Sequence, residues 1–245
     1  MGNILLLGDS HTYGDGLDDV SFQDPWNGHS KKTWAYHMFP ADKITNKSYT
    51  GCSNDMIALK LQRYFKGWHR VAKPNCAVII MFTYYERFHI TRNGCNFIIR
   101  PDDSMAISDN SDENRVAKKI NEKFESKNKR LMVDHFDDNM LELMFLKNIL
   151  MCQYFCIANN IRYYFTMTDH RAKTKCSASL QRYRDSLYDS IDWTKIFLVD
   201  NRLGFSNYAR EINATKGSDN QHYGEEYHKK FGKLFLDWIN KEKVL

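Results

Sequence analysis

The chain of 245 residues predicts a three-layer α/β/α sandwich around a parallel sheet of about five strands. Three observations carry that fold class. Strand and helix signals alternate along nearly the whole length. The first strand, Ile4–Leu7, is apolar at every position, as a strand covered on both faces must be. Cys76–Phe82 (Cys-Ala-Val-Ile-Ile-Met-Phe) repeats that character and is the clearest strand of all.

The elements follow in order. After Ile4–Leu7 comes a polar loop with Gly14, Gly16, Pro25 and Gly28, then a short helix near Thr33–Phe39. Lys43–Tyr49 reads as a weak second strand ending in Thr50-Gly51-Cys52-Ser53-Asn54, where Ser53 caps a helix running to about His69. The third strand is Cys76–Phe82. Asn139–Asn160 predicts a long helix, with Leu141, Met144, Phe145, Ile149, Cys152 and Cys156 at helical spacing. Ile161–Met167 is the fourth strand, Ser177–Ser190 a helix and Lys195–Val199 the fifth strand. A terminal helix over Gly224–Glu242 sets Tyr227, Phe231, Leu234, Phe235 and Trp238 on one stripe. Tyr163-Tyr164-Phe165 reads as buried strand. No internal repeat is seen, and the whole chain, 1–245, reads as a single domain.

One segment breaks the rhythm. Residues 88–137, about 50 in all, form an insertion that is either a lid or oligomer contact or a solvated excursion. It holds Ile98, Ile99, Pro101, a polar stretch Asp102–Asp112 and a charged helix signal over Glu113–Lys127. Its acidic residues lack the ordered spacing of a calcium loop.

Composition excludes several classes. Hydrophobic residues make up 42%, aromatic residues 14% and charged residues 27%, which suits a globular core. A net charge of +5, with Lys127-Asn128-Lys129-Arg130 as the densest basic run, gives no reason to expect nucleic acid. Met1-Gly2-Asn3 lacks a cationic leader, and no stretch is expected to approach the ~20 apolar residues of a membrane span. Leu6 stands where N-myristoylation wants Ser or Thr. A cytoplasmic location, no membrane partner, no cofactor and no metal are therefore expected. Six cysteines (52, 76, 95, 152, 156, 176) without a Cys-x-x-Cys pair read as reduced thiols, with Cys152 and Cys156 in the core. Oligomeric state is left open.

The chemistry concentrates at the two ends. Ile4-Leu5-Leu6-Leu7-Gly8-Asp9-Ser10 delivers a serine hydroxyl to the C-terminal edge of the first strand. A serine is a poor nucleophile unless a base lies within hydrogen-bond reach. Ser218-Asp219-Asn220-Gln221-His222 supplies an imidazole and a carboxylate to orient it, if this turn folds back over the first strand. Either motif alone reads more readily as a strand-to-loop turn or a helix cap. Together, at opposite ends of an α/β chain, they predict a catalytic Ser10, His222 and Asp219.

These segments resemble those of the SGNH (GDSL-type) serine hydrolases, whose fold is flavodoxin-like. The first block of that family matches Gly8-Asp9-Ser10, the second matches Gly51, whose N–H would help bind an oxyanion, and the last matches Asp219 and His222. The resemblance implies an esterase acting on a carboxylic ester, a short O-acyl group such as O-acetyl on a carbohydrate being the first choice. The stretch Asp219–Gly232 further resembles phage-encoded members, for which virion association is an added prospect. An acyltransferase with the same triad, or an inert binding or structural module, are the alternatives.

The third block departs from the family. Gly-x-Asn-Asp is replaced by Thr83-Tyr84-Tyr85-Glu86-Arg87, without an asparagine to donate to the oxyanion. The substitute is either Thr83 through its hydroxyl or another donor, Asn54 through its amide being slightly favoured over Thr83, although Asn54 reads equally as a capping or sheet-edge packing residue. Glu86 and Arg87 either line the site or pair with each other. His11 reads as loop packing on an extended segment, with substrate contact as the alternative, and His228 as a solvated histidine.

Overall fold

The computed structural model describes residues 2–20, 28–66, 76–92, 95–99, 105–108, 138–170 and 178–242. Strands β1 (Asn3–Leu7), β2 (Ile44–Asn46) and β3 (Cys76–Phe82) open the main sheet, with α1 (Ser10–Tyr13) and α2 (Asn54–Lys66) between them. An antiparallel meander β4 (Phe88–Arg92), β5 (Cys95–Ile99) and β6 (Met105–Ser108) follows, then α3 (Asp138–Ala158) and β7 (Arg162–Met167). The chain ends with α4 (Ala178–Asp189), β8 (Ile196–Phe197), α5 (Phe205–Glu211) and α6 (Glu225–Glu242). The main sheet has five parallel strands in the order β2-β1-β3-β7-β8. The predicted α/β sandwich is therefore the observed one.

Period-2 alternation divides the central strands between two cores. Leu5, Leu7, Val78, Ile80, Phe82 and Phe165 point to the face covered by α2 and α3, where Met56, Leu61, Phe65, Ile149 and Cys152 meet them. Ile4, Leu6, Ile79, Met81 and Tyr164 point to the opposite face, against Trp34, Phe205, Phe231 and Phe235. Register aligns Leu7 with Ile80, Ile80 with Phe165, and Phe82 with Met167. The residues just past β1, β3 and β7 therefore emerge side by side. The order changes direction between β1 and β3, and open sheets of this kind take ligands outside the strand C-termini at such a point.

Several expectations are corrected. The long α3 does pass the length and composition of a membrane span, with 20 residues over Asn139–Ala158 at a mean hydropathy of 1.4. Half of that stretch is buried, and α3 packs on α2, α4 and β7, so its apolar character reflects cover on several sides. The segment after Ser10 is a helical turn rather than extended chain, and α5 has no counterpart among the expected elements. Within the insertion, 88–108 contains three strands, while Asp102, the predicted helix over Glu113–Lys127 and the basic run at 127–130 lie outside the described residues. Cys52, Cys76, Cys152 and Cys156 are buried and not joined in disulfides, as expected of reduced thiols, and burial pushes Cys156 up to about 12.

Phe235 is fully buried, stacked on Phe197 with ring centroids 4.8 Å apart, and lies 5.6 Å from Trp34. Its truncation to Ala should cost roughly 3–5 kcal/mol, measured by urea unfolding. A loss below about 1 kcal/mol would mean that α6 is not the lid of this core.

Candidate active site

The nucleophile candidate is placed by a helix start. β1 ends at Leu7, and Asp9 caps α1 by accepting the His11 N–H at 3.1 Å. Asp is a favoured N-cap because its oxygen takes one of the unpaired N–H groups of the first turn. Ser10 is the first helical residue and is 4% exposed. Among the described residues its hydroxyl and its backbone N–H have no hydrogen-bond partner. The same holds for the N–H of Gly51, which sits at φ +73°. Two backbone donors thus stand unspent at the C-terminal edge of the sheet.

Asp219 and His222 form a pair. His222 Nδ1 lies 2.5 Å from Asp219 Oδ2, while Asp219 Oδ1 accepts the N–H groups of Gln221 and His222, each at 2.9 Å. Burial alone would raise the Asp219 pKa, but the His222 ring and those two N–H donors outweigh it and bring the group to about 2. Ring nitrogen Nε2 has no described partner.

This pair is docked on the turn that leaves α1. Ser218 N–H and hydroxyl both donate to Gly16 O, at 2.8 and 3.0 Å. Gly16 has φ +82°, and a Cβ there would stand 2.7 Å from Asp219 Oδ1 and 3.1 Å from His222 Cβ. A Cβ on Gly217 would meet Gly16 O at 2.2 Å. The two loops approach at backbone contact, which only glycine permits. His222 consequently faces α1, its ring 5.2 Å from the His11 ring in an edge-on arrangement. Ser10 and His222 share one end of the sheet, although no hydrogen bond joins them. Such contacts are often long before substrate binds.

Asp9 is fully buried beneath Ser10. Its Oδ2 accepts from the Thr83 hydroxyl (2.6 Å), Arg87 Nη1 (3.3 Å) and the Thr168 hydroxyl (3.4 Å). Burial pushes its pKa up, yet the His11 ring, the Arg87 guanidinium and the Thr83 hydroxyl together hold it below the usual carboxylate range. Arg87 also stacks over Tyr84 at 4.9 Å. The Asn54 amide donates to Thr83 O and Tyr84 O at 3.3 and 3.2 Å and accepts the Thr83 N–H at 2.9 Å. Asn54 and Thr83, both essentially unexposed, therefore commit their donors to the floor of the site. In this arrangement neither hydroxyl nor amide is free to meet an oxyanion.

His11 packs as expected, although on a helical turn, and the expectation for His228 changes. His11 is buried against Phe205, His222 and Tyr223, with Nε2 3.4 Å from Ser206 Oγ. Burial lowers its pKa to about 4 against the pull of Asp9. His228, expected in solvent, is fully buried, and its Nδ1 accepts the Trp34 N–H at 3.1 Å. One further residue had no signal in the sequence. Asp15 is 4% exposed, accepts the Thr50 hydroxyl at 3.0 Å and feels His222, Asp9 and Asp219; burial, above all, raises it to about 6.

No protein-family model and no curated protein matches the sequence. Among solved structures, the chain is similar to the psychrotrophic esterase EstA from Pseudoalteromonas sp., at 10% identity and TM-score 0.47 over 100% of both chains. It is also similar to an acetyl xylan esterase (Est2A) from Butyrivibrio proteoclasticus, at 13% identity and TM-score 0.48. That alignment spans 99% of this chain and 64% of the esterase, so the chain matches under two thirds of that protein's length. A phospholipase A1 from Streptomyces albidoflavus aligns at 10% identity and TM-score 0.41 over 98% of each chain.

Two stability outcomes follow from these carboxylates. Asp9→Asn leaves a mostly enclosed Arg87 without its charge partner and should destabilise by roughly 3 kcal/mol in urea unfolding; an unchanged midpoint would contradict the role of Asp9. Asp15 behaves oppositely. Its folded pKa is above the unfolded 3.8, so the folded form binds the extra proton and stability falls as pH rises from about 4 to about 6. Asp15→Asn should therefore be the more stable protein at pH 8, by about 1–3 kcal/mol, and should lose that advantage at pH 4. Parallel stability–pH curves for the two proteins would refute this.

Proposed function

We propose that the chain is a serine esterase in which Ser10 is the nucleophile, His222 the general base and Asp219 the carboxylate that orients it. One observation carries the reading. The hydrogen-bonded Asp219–His222 pair is packed, through Gly16, on the turn that leaves the helix headed by Ser10. Asp219 on Nδ1 selects the tautomer whose Nε2 can accept a proton, and it stabilises the imidazolium that forms.

In the first half-reaction Ser10 Oγ bonds to the ester carbonyl carbon while its proton passes to His222 Nε2. The N–H groups of Ser10 and Gly51 receive the developing oxyanion, and backbone donors aimed at that charge are worth most at the tetrahedral stage. Asn54 and Thr83 wall this pocket by fixing the chain after β3. Collapse breaks the bond to the alkoxy oxygen, which leaves as the alcohol carrying the proton from His222. Water then adds to the acyl-enzyme, giving its proton to His222, and the acid departs as Ser10 recovers its hydrogen. The preferred substrate is a short O-acyl group, O-acetyl on a carbohydrate first, a choice that rests on the SGNH resemblance, since fold and triad do not define substrate.

Ser10→Ala and His222→Ala should each lower turnover of p-nitrophenyl acetate on the order of 10⁶-fold, with the double variant little worse, because the two act as a unit. Asp219→Asn should cost less, on the order of 10⁴-fold. Labelling by a fluorophosphonate should occur in the natural protein and vanish in Ser10→Ala. A folded natural protein that resists the label would be an inert module, and acyl transfer to an added sugar without free acid would mark a transferase.

A further inference from the structure

Asp15 links the nucleophile's helix to the Thr50 turn without being one of the proposed reacting groups. Its backbone N–H donates to Ser10 O at 3.0 Å, beside the capping Gly14 N–H at 2.7 Å, so it helps to terminate the nucleophile's own helix. The next residue is Gly16, the glycine on which Asp219 and His222 rest. Its side chain crosses to the opposite wall, where Oδ1 accepts the Thr50 hydroxyl at 3.0 Å.

Thr50 lies in a tight turn. Cys52 N–H donates to Tyr49 O at 3.1 Å, which makes Thr50 and Gly51 the two central residues. Gly51 has φ +73° and Thr50 is not among the residues with positive φ, the pattern of a type II turn. Types I and II differ by the orientation of the peptide between the two central residues. That peptide carries the Gly51 N–H. A flip to type I would turn this donor away from its present direction with little other change in the chain. A side-chain hydrogen bond from Thr50 to Asp15 tethers this turn to the nucleophile's loop.

We infer that Asp15 is a positioning residue of the proposed esterase, holding the Thr50–Gly51 peptide so that the Gly51 N–H faces the oxyanion formed above Ser10. This inference rests on the hydrolase reading. Enclosing the carboxylate pushes it up to about 6, and the groups that face it are His222, Asp9, Asp219 and the Thr50 hydroxyl.

The test compares Asp15→Ala, Thr50→Val, their double variant and the conservative Thr50→Ser, by second-order fluorophosphonate labelling and by kcat and KM on p-nitrophenyl acetate. Asp15→Ala and Thr50→Val should each slow labelling and lower kcat by about tenfold to 100-fold, with KM within about twofold. The double variant should be no worse than either single, since one hydrogen bond is lost in all three. Thr50→Ser, which keeps the hydroxyl, should recover most of the loss. Labelling of the natural protein with unaffected single variants, or losses that multiply in the double variant, would overturn the inference and leave the esterase reading standing. Failure of the natural protein to label would remove both. Should Asp15→Ala not fold, the Thr50 pair decides the question alone.

Discussion

The buried charge of Asp9 is the constraint around which this end of the molecule is built. Placing a carboxylate out of water costs several kcal/mol unless hydrogen bonds and an opposite charge replace the lost solvent. Here the replacements come from the ends of two strands, β3 and β7. Asp9 leaves β1, Thr83 and Arg87 leave β3, and Thr168 leaves β7. The register that aligns the ends of β1, β3 and β7 is what lets three hydrogen-bonding partners converge on one oxygen. In return, the carboxylate staples the C-terminal edge of the sheet. Ser10, the next residue along, inherits a fixed position and a fixed helix start.

The same constraint explains the unusual segment after β3. In the family that the chain resembles, an asparagine at this place donates to the oxyanion. Here Thr83 and Arg87 serve Asp9, and Asn54 reaches across from α2 to hold the Thr83–Tyr84 backbone in place. These side chains neutralise and brace the floor of the site, and the unspent donors above it are backbone N–H groups. A backbone donor is only as good as the turn that carries it. That shifts the burden of preorganisation to the turns at Ser10 and Thr50–Gly51.

Much of this was legible in the sequence, and the exceptions have physical reasons. β3 was read to the residue, Cys76–Phe82, because a strand covered on both faces is an uninterrupted apolar run with sharp ends. The α3 and α6 boundaries lie within two residues of those observed because apolar residues recur there at helical period. α1 was missed because four residues are too few to show a period; the clue was Asp9, whose capping bond makes Ser10 a helical residue. His228 was misplaced by counting from His222, which lies before the helix. Counted within α6 it stands three residues before Phe231 and seven before Phe235, on the buried stripe. The direction in which the Asn54 and Thr83 donors point is a tertiary fact that no spacing encodes. Asp15, set between two glycines, reads as an ordinary turn residue until Thr50 is brought against it.

The titratable groups around Ser10 are separated by environment into distinct states, as acid–base sites require. Asp9 stays ionised because Arg87 and hydroxyl donors surround it, and Asp219 because its oxygens take the hydrogen bonds of the 219–222 turn. The two imidazoles in edge-on contact are the sharper case. If His11 carried a proton at neutral pH, a second cation would face His222 at the step where, in the proposed reaction, it takes the proton from Ser10, and that transition state would be penalised. Burial of His11 among Phe205 and Tyr223 lowers its pKa to about 4, even with Asp9 pulling the other way. The aromatic packing on that side thus keeps one histidine neutral, so that in the proposed reaction a single positive charge develops, at His222, beside the carboxylate placed to receive it.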